Sequence, residues 1–204
     1  MGFENVGKVW DLPGFKQFIR GQDLSWAKGI TLHHTAAPTL QQRPEGFRVQ
    51  HIRNIASYYR DQLGWSSGPH LFVDEDQVFG MSTLERRGVH ARSFNATHIG
   101  IEVLGNYDHE RPEEGRGLNC WRMAAQAVGA ILDRTGLTPE SVNFHRDDPR
   151  TSKTCPGKLV SRAMVLGLIP TRGDREDDPA TGEGIEKRLA AIEWQIGQIR
   201  RELS

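Results

Sequence analysis

Eight histidines and two cysteines are spread over the 204 residues, and three short stretches bring some of them into a pattern with chemical meaning. His33-His34-Thr35 closes an apolar run; His145-Arg146-Asp147 lies far downstream; Lys153-Thr154-Cys155-Pro156-Gly157 follows closely after it. Two imidazoles and one thiolate suit zinc. Three protein ligands leave one tetrahedral position open to water, which is the arrangement of catalytic rather than structural zinc. No C-x-x-C pair competes for that reading. A lone histidine is more often a surface or hydrogen-bonded residue, so only the histidines that fall into these stretches rise above that background.

The elements around these stretches have to carry them to one place. GITLHHT at 29–35 reads as a strand that delivers its histidines at the C-terminal end. If Ile30 and Leu32 point into the core, His34 points with them and His33 points to the opposite face, toward a cleft. Ile52, Ile55, Ala56, Tyr59 and Leu63 recur at helical spacing, with Gly64 as the stop. His70–Val73 and Gln77–Gly80 read as two strands of a hairpin, and THIGIEVL at 97–104 as another strand. A second helix is expected from about Asn119 to Thr135, with Trp121, Ala124, Ala125, Val128, Ile131 and Leu132 on one face and Gly136 at its end. A short strand at 143–146, a polar loop reaching Cys155 and a helix through Leu166 complete the domain. The fold class is α/β (α+β), a central mixed sheet flanked by helices.

Equal numbers of basic and acidic residues, 26 of each, argue against nucleic acid as a partner. No run of about 18 apolar residues is present to span a membrane. The first residues lack the continuous apolar stretch and cleavage site of a secretory signal, so synthesis in the cytoplasm with assisted export is expected. Residues 1–24 are set apart as an N-terminal extension, with the main domain at 25–170. Residues 171–184 are too polar to bury and read as a linker. In 185–204, Ile185, Leu189, Ile192, Ile196, Ile199 and Leu203 alternate steps of four and three, the seam of a coiled coil that would make a homo-oligomer. The rival is a helix folded back on its own domain.

Four motifs in order, LHHTA at 32–36, GPHLFV at 68–73, GVHARSFNATHIGIEVLGNY at 88–107 and FHRDDPRTSKTCPG at 144–157, resemble the type-2 N-acetylmuramoyl-L-alanine amidases. That family includes phage endolysins, bacterial wall amidases and animal peptidoglycan-recognition proteins, and the likeness covers roughly residues 25–170. It implies one zinc ion on His33, His145 and Cys155, and cleavage of the amide joining the sugar lactyl group to the stem peptide of peptidoglycan. It also implies Glu102, in the H-I-G-I-E stretch, as the general base and Lys153 facing the oxyanion, with His90 and Asn95 lining the substrate cleft. Some members carry a tyrosine where this chain has Pro69, so that role is missing here. His34, His51, His98 and His109 are left without a role, and His70 is read as support for the metal. Cys120 reads as a core thiol, and Arg146, Asp147 and Asp148 as a salt-bridged loop orienting His145. Receptor-type members lose the zinc cysteine, whereas this chain keeps Cys155. The resemblance therefore points to an enzyme, a phage or prophage endolysin acting on the wall after holin-mediated release. The alternatives are a peptidoglycan-binding receptor and a cytosolic wall-recycling amidase.

Overall fold

The apolar run ending in the two histidines becomes a strand, β2 (Gly29–His34), in which every residue is buried. That is the state of a central strand covered on both faces. The computed structural model describes residues 2–170. β2 pairs in parallel with β5 (His98–Val103) on one side and with β6 (Val142–Phe144) on the other. β3 (Leu71–Val73) extends the sheet in parallel beside β5 and turns back into β4 (Val78–Gly80). At the turn, the Asp74 carboxylate accepts the backbone N–H groups of Asp76 and Gln77. A two-residue strand, β1 (Val9–Trp10), pairs antiparallel with β4, giving a six-stranded mixed sheet in the order β1-β4-β3-β5-β2-β6.

Register decides which side chains share a face. Ile30, Ile99 and Val142 are partners, as are Leu32, Ile101 and Phe144, and all six are buried in the main core. On the opposite face, His33, Glu102 and Phe72 form a row across β2, β5 and β3. The long helix α3 (Gly115–Thr135) covers the core face and buries Trp121, Ala124, Ala125, Val128, Ile131 and Leu132, the stripe expected from its spacing. It ends at Gly136, whose φ of 71° is the left-handed conformation of a helix C-terminal cap. α2 (Val49–Asp61) stands over the other face with Ile52 and Ala56 buried. The period that reached Leu63 in sequence stops at Asp61, with Gln62 as the cap.

Residues 2–24, which the sequence pattern set apart as an extension, contribute β1 and α1 (Leu12–Arg20) to this fold. α1 is capped by the Asp11 carboxylate, which accepts the N–H of Gly14 at 2.8 Å, and it packs on α3, as does the last helix, α4 (Arg162–Leu168). Phe15 and Ile19 are the residues it buries. Phe15 is fully enclosed, so Phe15→Ala is expected to cost about 3–5 kcal/mol in chemical denaturation, the cost of emptying a buried aromatic site. A loss below about 1 kcal/mol would mean that α1 is dispensable. The linker expected at 171–184 and the heptad seam at 185–204 lie outside the described residues.

Candidate metal centre

The C-terminal ends of parallel strands are where an open sheet offers a crevice, and β2, β5 and β6 all end at one edge. β2 brings His33 there, and its partner across the ladder is Glu102 of β5. The chain leaves β6 in a single 3-10 turn, His145–Asp147, where the sequence pattern extended the strand to residue 146. The turn bends His145 away from the sheet line and toward His33. Cys155 arrives on a loop that main-chain bonds hold against this turn. The N–H of Arg146 donates to the carbonyl of Cys155 at 2.8 Å, and its guanidinium donates to the carbonyls of Gly157 and Val160 at 2.7 Å each. From the other side, Asp108 accepts the Thr154 hydroxyl and the Lys158 N–H, both at 2.8 Å. Gly157, with φ 116°, lies so close to Tyr107 that a Cβ would stand 2.4 Å from its backbone carbon. Only glycine lets the Cys155 loop close there.

Three potential ligand atoms therefore converge. His33 Nδ1 lies 3.0 Å from His145 Nδ1 and 3.7 Å from Cys155 Sγ, and the ligand atoms of all three residues fall within 4.8 Å of one another. Zinc bonds of about 2.0–2.1 Å to nitrogen and about 2.3 Å to sulfur at tetrahedral angles separate ligand atoms by roughly 3.3–3.6 Å. The donor set and its spacing fit that ion. Glu102 Oε1 stands 3.8 Å from His33 Nδ1, on the same cluster. The group opens into a cleft of about 390 Å³ whose walls include Tyr58, Tyr59, Trp65, Pro69, Phe72 and Lys153.

Burial sets the electrostatics. It holds His33 well below its ordinary range, with the neighbouring His90, His145 and Lys153 pushing the same way. It lowers His145 too, again with Lys153 adding to the effect. Both imidazoles are thus kept neutral, the form that ligates. Glu102, walled by Phe72 on the next strand, is pushed up by burial to about 8, against the opposing pull of Lys153. Burial raises the Cys155 thiol as well, and Glu102 adds to the rise.

Other expected site residues have different partners from those foreseen. His90 lines the cleft, but its two ring nitrogens face His33 Nε2 at 3.1 Å and the His98 carbonyl at 3.0 Å, leaving none for a substrate. The Asn95 Oδ1 accepts the N–H groups of His90 and Ala91 at 2.8 Å each, and Asn95 lines a neighbouring cavity rather than the metal cleft. Asp147 pairs with Arg162, and Asp148 accepts the N–H groups of Ser93 and Arg150, so the expected Arg146–Asp147–Asp148 salt-bridged loop does not form. His34 accepts the N–H of Tyr107 at 3.0 Å, and Cys120 is buried in the core. Sequence reading missed Asp108, whose aspartate two residues after an asparagine looks like any turn. Tyr59, which the sequence places on the same helical stripe as Ile52 and Ala56, packs against the core and also lines the cleft.

His70 is fully buried and cross-links backbone rather than touching the ligand cluster: Nδ1 accepts the Gly100 N–H at 2.9 Å and Nε2 donates to the Arg86 carbonyl at 3.0 Å. Desolvation lowers it from 6.5 to about 4. Between those values the unfolded chain binds a proton that the folded chain refuses, so stability is full above 6.5 and falls as pH drops toward 4. The loss assigned to this residue is about 3 kcal/mol. Denaturant titrations of the wild type and of His70→Gln, run from neutral pH to pH 4.5, should show a shallower acid loss in the variant. Equal slopes would assign the acid sensitivity elsewhere.

Comparison with known proteins gives a consistent picture. The profile of the N-acetylmuramoyl-L-alanine amidase family matches residues 23–158. Peptidoglycan-recognition protein SC1a/b of Drosophila simulans is 29% identical over 155 residues, covering 74% of this chain and 78% of that protein. Among solved structures, the N-acetylmuramoyl-L-alanine amidase LysC from Clostridium intestinale superposes with a TM-score of 0.53 at 22% identity, covering 69% of this chain and 83% of the other. The Ph2119 endolysin of a Thermus scotoductus bacteriophage gives 0.54 at 23% identity, with 71% and 86% covered. At such identities the structural likeness is one of fold.

Proposed function

The chain belongs to the N-acetylmuramoyl-L-alanine amidase family, and from that premise we propose that it hydrolyses the amide between N-acetylmuramic acid and L-alanine in peptidoglycan, with one zinc ion on His33, His145 and Cys155. The observation that carries the reading is the convergence of these three ligand atoms beside a buried carboxyl in an open cleft. When bound, zinc supplies Lewis acidity that polarises a carbonyl and makes water a stronger nucleophile.

The protein's own groups do the rest. Glu102 would accept a proton from the attacking water at its carboxylate, the form that a cation held beside it and Lys153 favour, and return it to the departing amide nitrogen. Oxygen adds to the lactyl carbonyl carbon, the carbon–nitrogen bond breaks, and the stem peptide leaves with a free amine. Lys153, in the same cleft wall, offers its ammonium to the negative charge that develops on the carbonyl oxygen. Tyr58, Tyr59 and Trp65 give the cleft broad apolar surfaces for the sugar and stem peptide to lie against. The likeness of fold to the Ph2119 endolysin fits a lytic setting, in which the chain acts on the wall after release from the cytoplasm. The heptad seam at 185–204 would then cluster catalytic domains on a polymeric substrate and raise avidity.

Digestion of purified peptidoglycan followed by mass spectrometry tests the reading. Free stem peptides with a new L-alanine amino terminus are expected with zinc, none after chelation, and recovery on adding zinc back. A folded, zinc-loaded chain that binds several wall types and cleaves none would replace the enzyme by a peptidoglycan-binding receptor.

A further inference from the structure

We infer that His90 is a positioning residue, which fixes the tautomer of His33 through a hydrogen-bonded chain running from the backbone carbonyl of His98 to the ligand cluster. The inference deepens the zinc reading and rests on it for its purpose, though the chain itself is a matter of geometry. Its first link is His90 Nε2, 3.0 Å from the His98 carbonyl oxygen. A carbonyl oxygen only accepts, so Nε2 carries a hydrogen. The second link is the 3.1 Å contact between His90 Nδ1 and His33 Nε2, which needs one hydrogen between two ring nitrogens. Placing that hydrogen on His90 would make it an imidazolium, buried against the rings of His33 and His70. Desolvation disfavours the charged form there. The hydrogen therefore belongs to His33 Nε2, and His33, neutral, is left with a lone pair on Nδ1. That atom is the one that faces His145 Nδ1 and Cys155 Sγ.

The consequence is a ligand prepared before any metal arrives. Metal ions take only an unprotonated ring nitrogen, and a free imidazole divides itself between two tautomers. In this chain the division is settled by a backbone carbonyl two rings away. The surroundings of His90 serve the same end. Gly100 leaves the space its ring fills, since a Cβ there would stand 2.5 Å from His90 Cγ. Asn95 clamps the backbone on which the ring is mounted, and the His70 ring meets it edge-on with centroids 5.9 Å apart.

The test reads the tautomer directly. In a nitrogen-15 labelled, metal-free full chain, two-bond proton–nitrogen spectra of the imidazoles should show His33 with Nε2 protonated and Nδ1 bare. His90→Gln keeps an oxygen to accept from His33 and an N–H for the His98 carbonyl; His90→Leu keeps neither. Zinc affinity, measured by competition with a chromophoric chelator, is expected to fall about 10- to 100-fold in His90→Leu and to recover largely in His90→Gln. A wild-type His33 protonated on Nδ1 overturns the relay, as does unchanged zinc affinity in a His90→Leu chain whose amide spectrum matches the wild type. If His90→Leu does not fold, the wild-type tautomer decides alone. If the wild type binds no zinc, the ligand assignment falls, and the tautomer still decides for or against the relay.

Discussion

In Cys155→Ser, peptidoglycan hydrolysis is expected to drop on the order of 10³-fold or more, with loss of the zinc-dependent rise in thermal stability. Cys155 is 7% exposed with its sulfur 3.7 Å from His33 Nδ1, and burial raises its pKa well above that of an ordinary thiol. A thiolate in that place needs a cation beside it, so binding zinc must release a proton, and affinity should rise with pH. A serine hydroxyl keeps the size but ionises far less readily. Two neutral imidazoles then remain to hold the ion. The loop itself should survive, because the Arg146 N–H and guanidinium and the Asp108 carboxylate hold it rather than the sulfur. Zinc at 100 times its dissociation constant stabilises a native site by about 2.7 kcal/mol. The measurement is thermal unfolding with and without zinc, alongside the wall digestion. A serine variant that keeps both its activity and its zinc shift would remove Cys155 from the metal.

The residues that make this centre were visible in sequence to different degrees. The strand around His33 was legible because its apolar positions alternate, and alternation alone places His33 opposite Ile30 and Leu32. Register was not legible, and it is register that sets Glu102 beside His33 and against Phe72. The contact between His33 and His90 spans 57 positions and depends on a loop closing over Gly100, which no local pattern encodes. α1 buries only Phe15 and Ile19, too few positions to set a helical period, and Pro13 stands in its first turn. Proline in the first turn of a helix costs nothing, since its missing N–H would have had no partner there. β1 has two residues, too few to show any period.

The second large effect is expected in Glu102→Gln, and it has two opposite signs. Gln has the shape of Glu but takes up no proton at working pH. Removing a general acid–base of this kind costs about 10²- to 10⁴-fold in kcat. KM and zinc content should change little, because the ligand set is untouched. Stability should move the other way. In the metal-free chain, burial raises the Glu102 carboxyl from 4.5 to about 8, so the folded state keeps it protonated at pH 7 while the unfolded state ionises it. A raised acid pKa favours folding below 4.5 and loses that advantage as pH climbs toward 8. At pH 7 the mismatch costs about 3 kcal/mol, and the amide does not carry it. Urea denaturation of the metal-free proteins should therefore find Glu102→Gln more stable than the wild type at pH 7, with the gap closing near pH 4.5. A variant that gains stability and loses turnover would mark Glu102 as a group kept against the interest of the fold for the sake of the reaction. Near-normal turnover would remove it as the proton carrier, and Lys153 would have to account for the remaining chemistry.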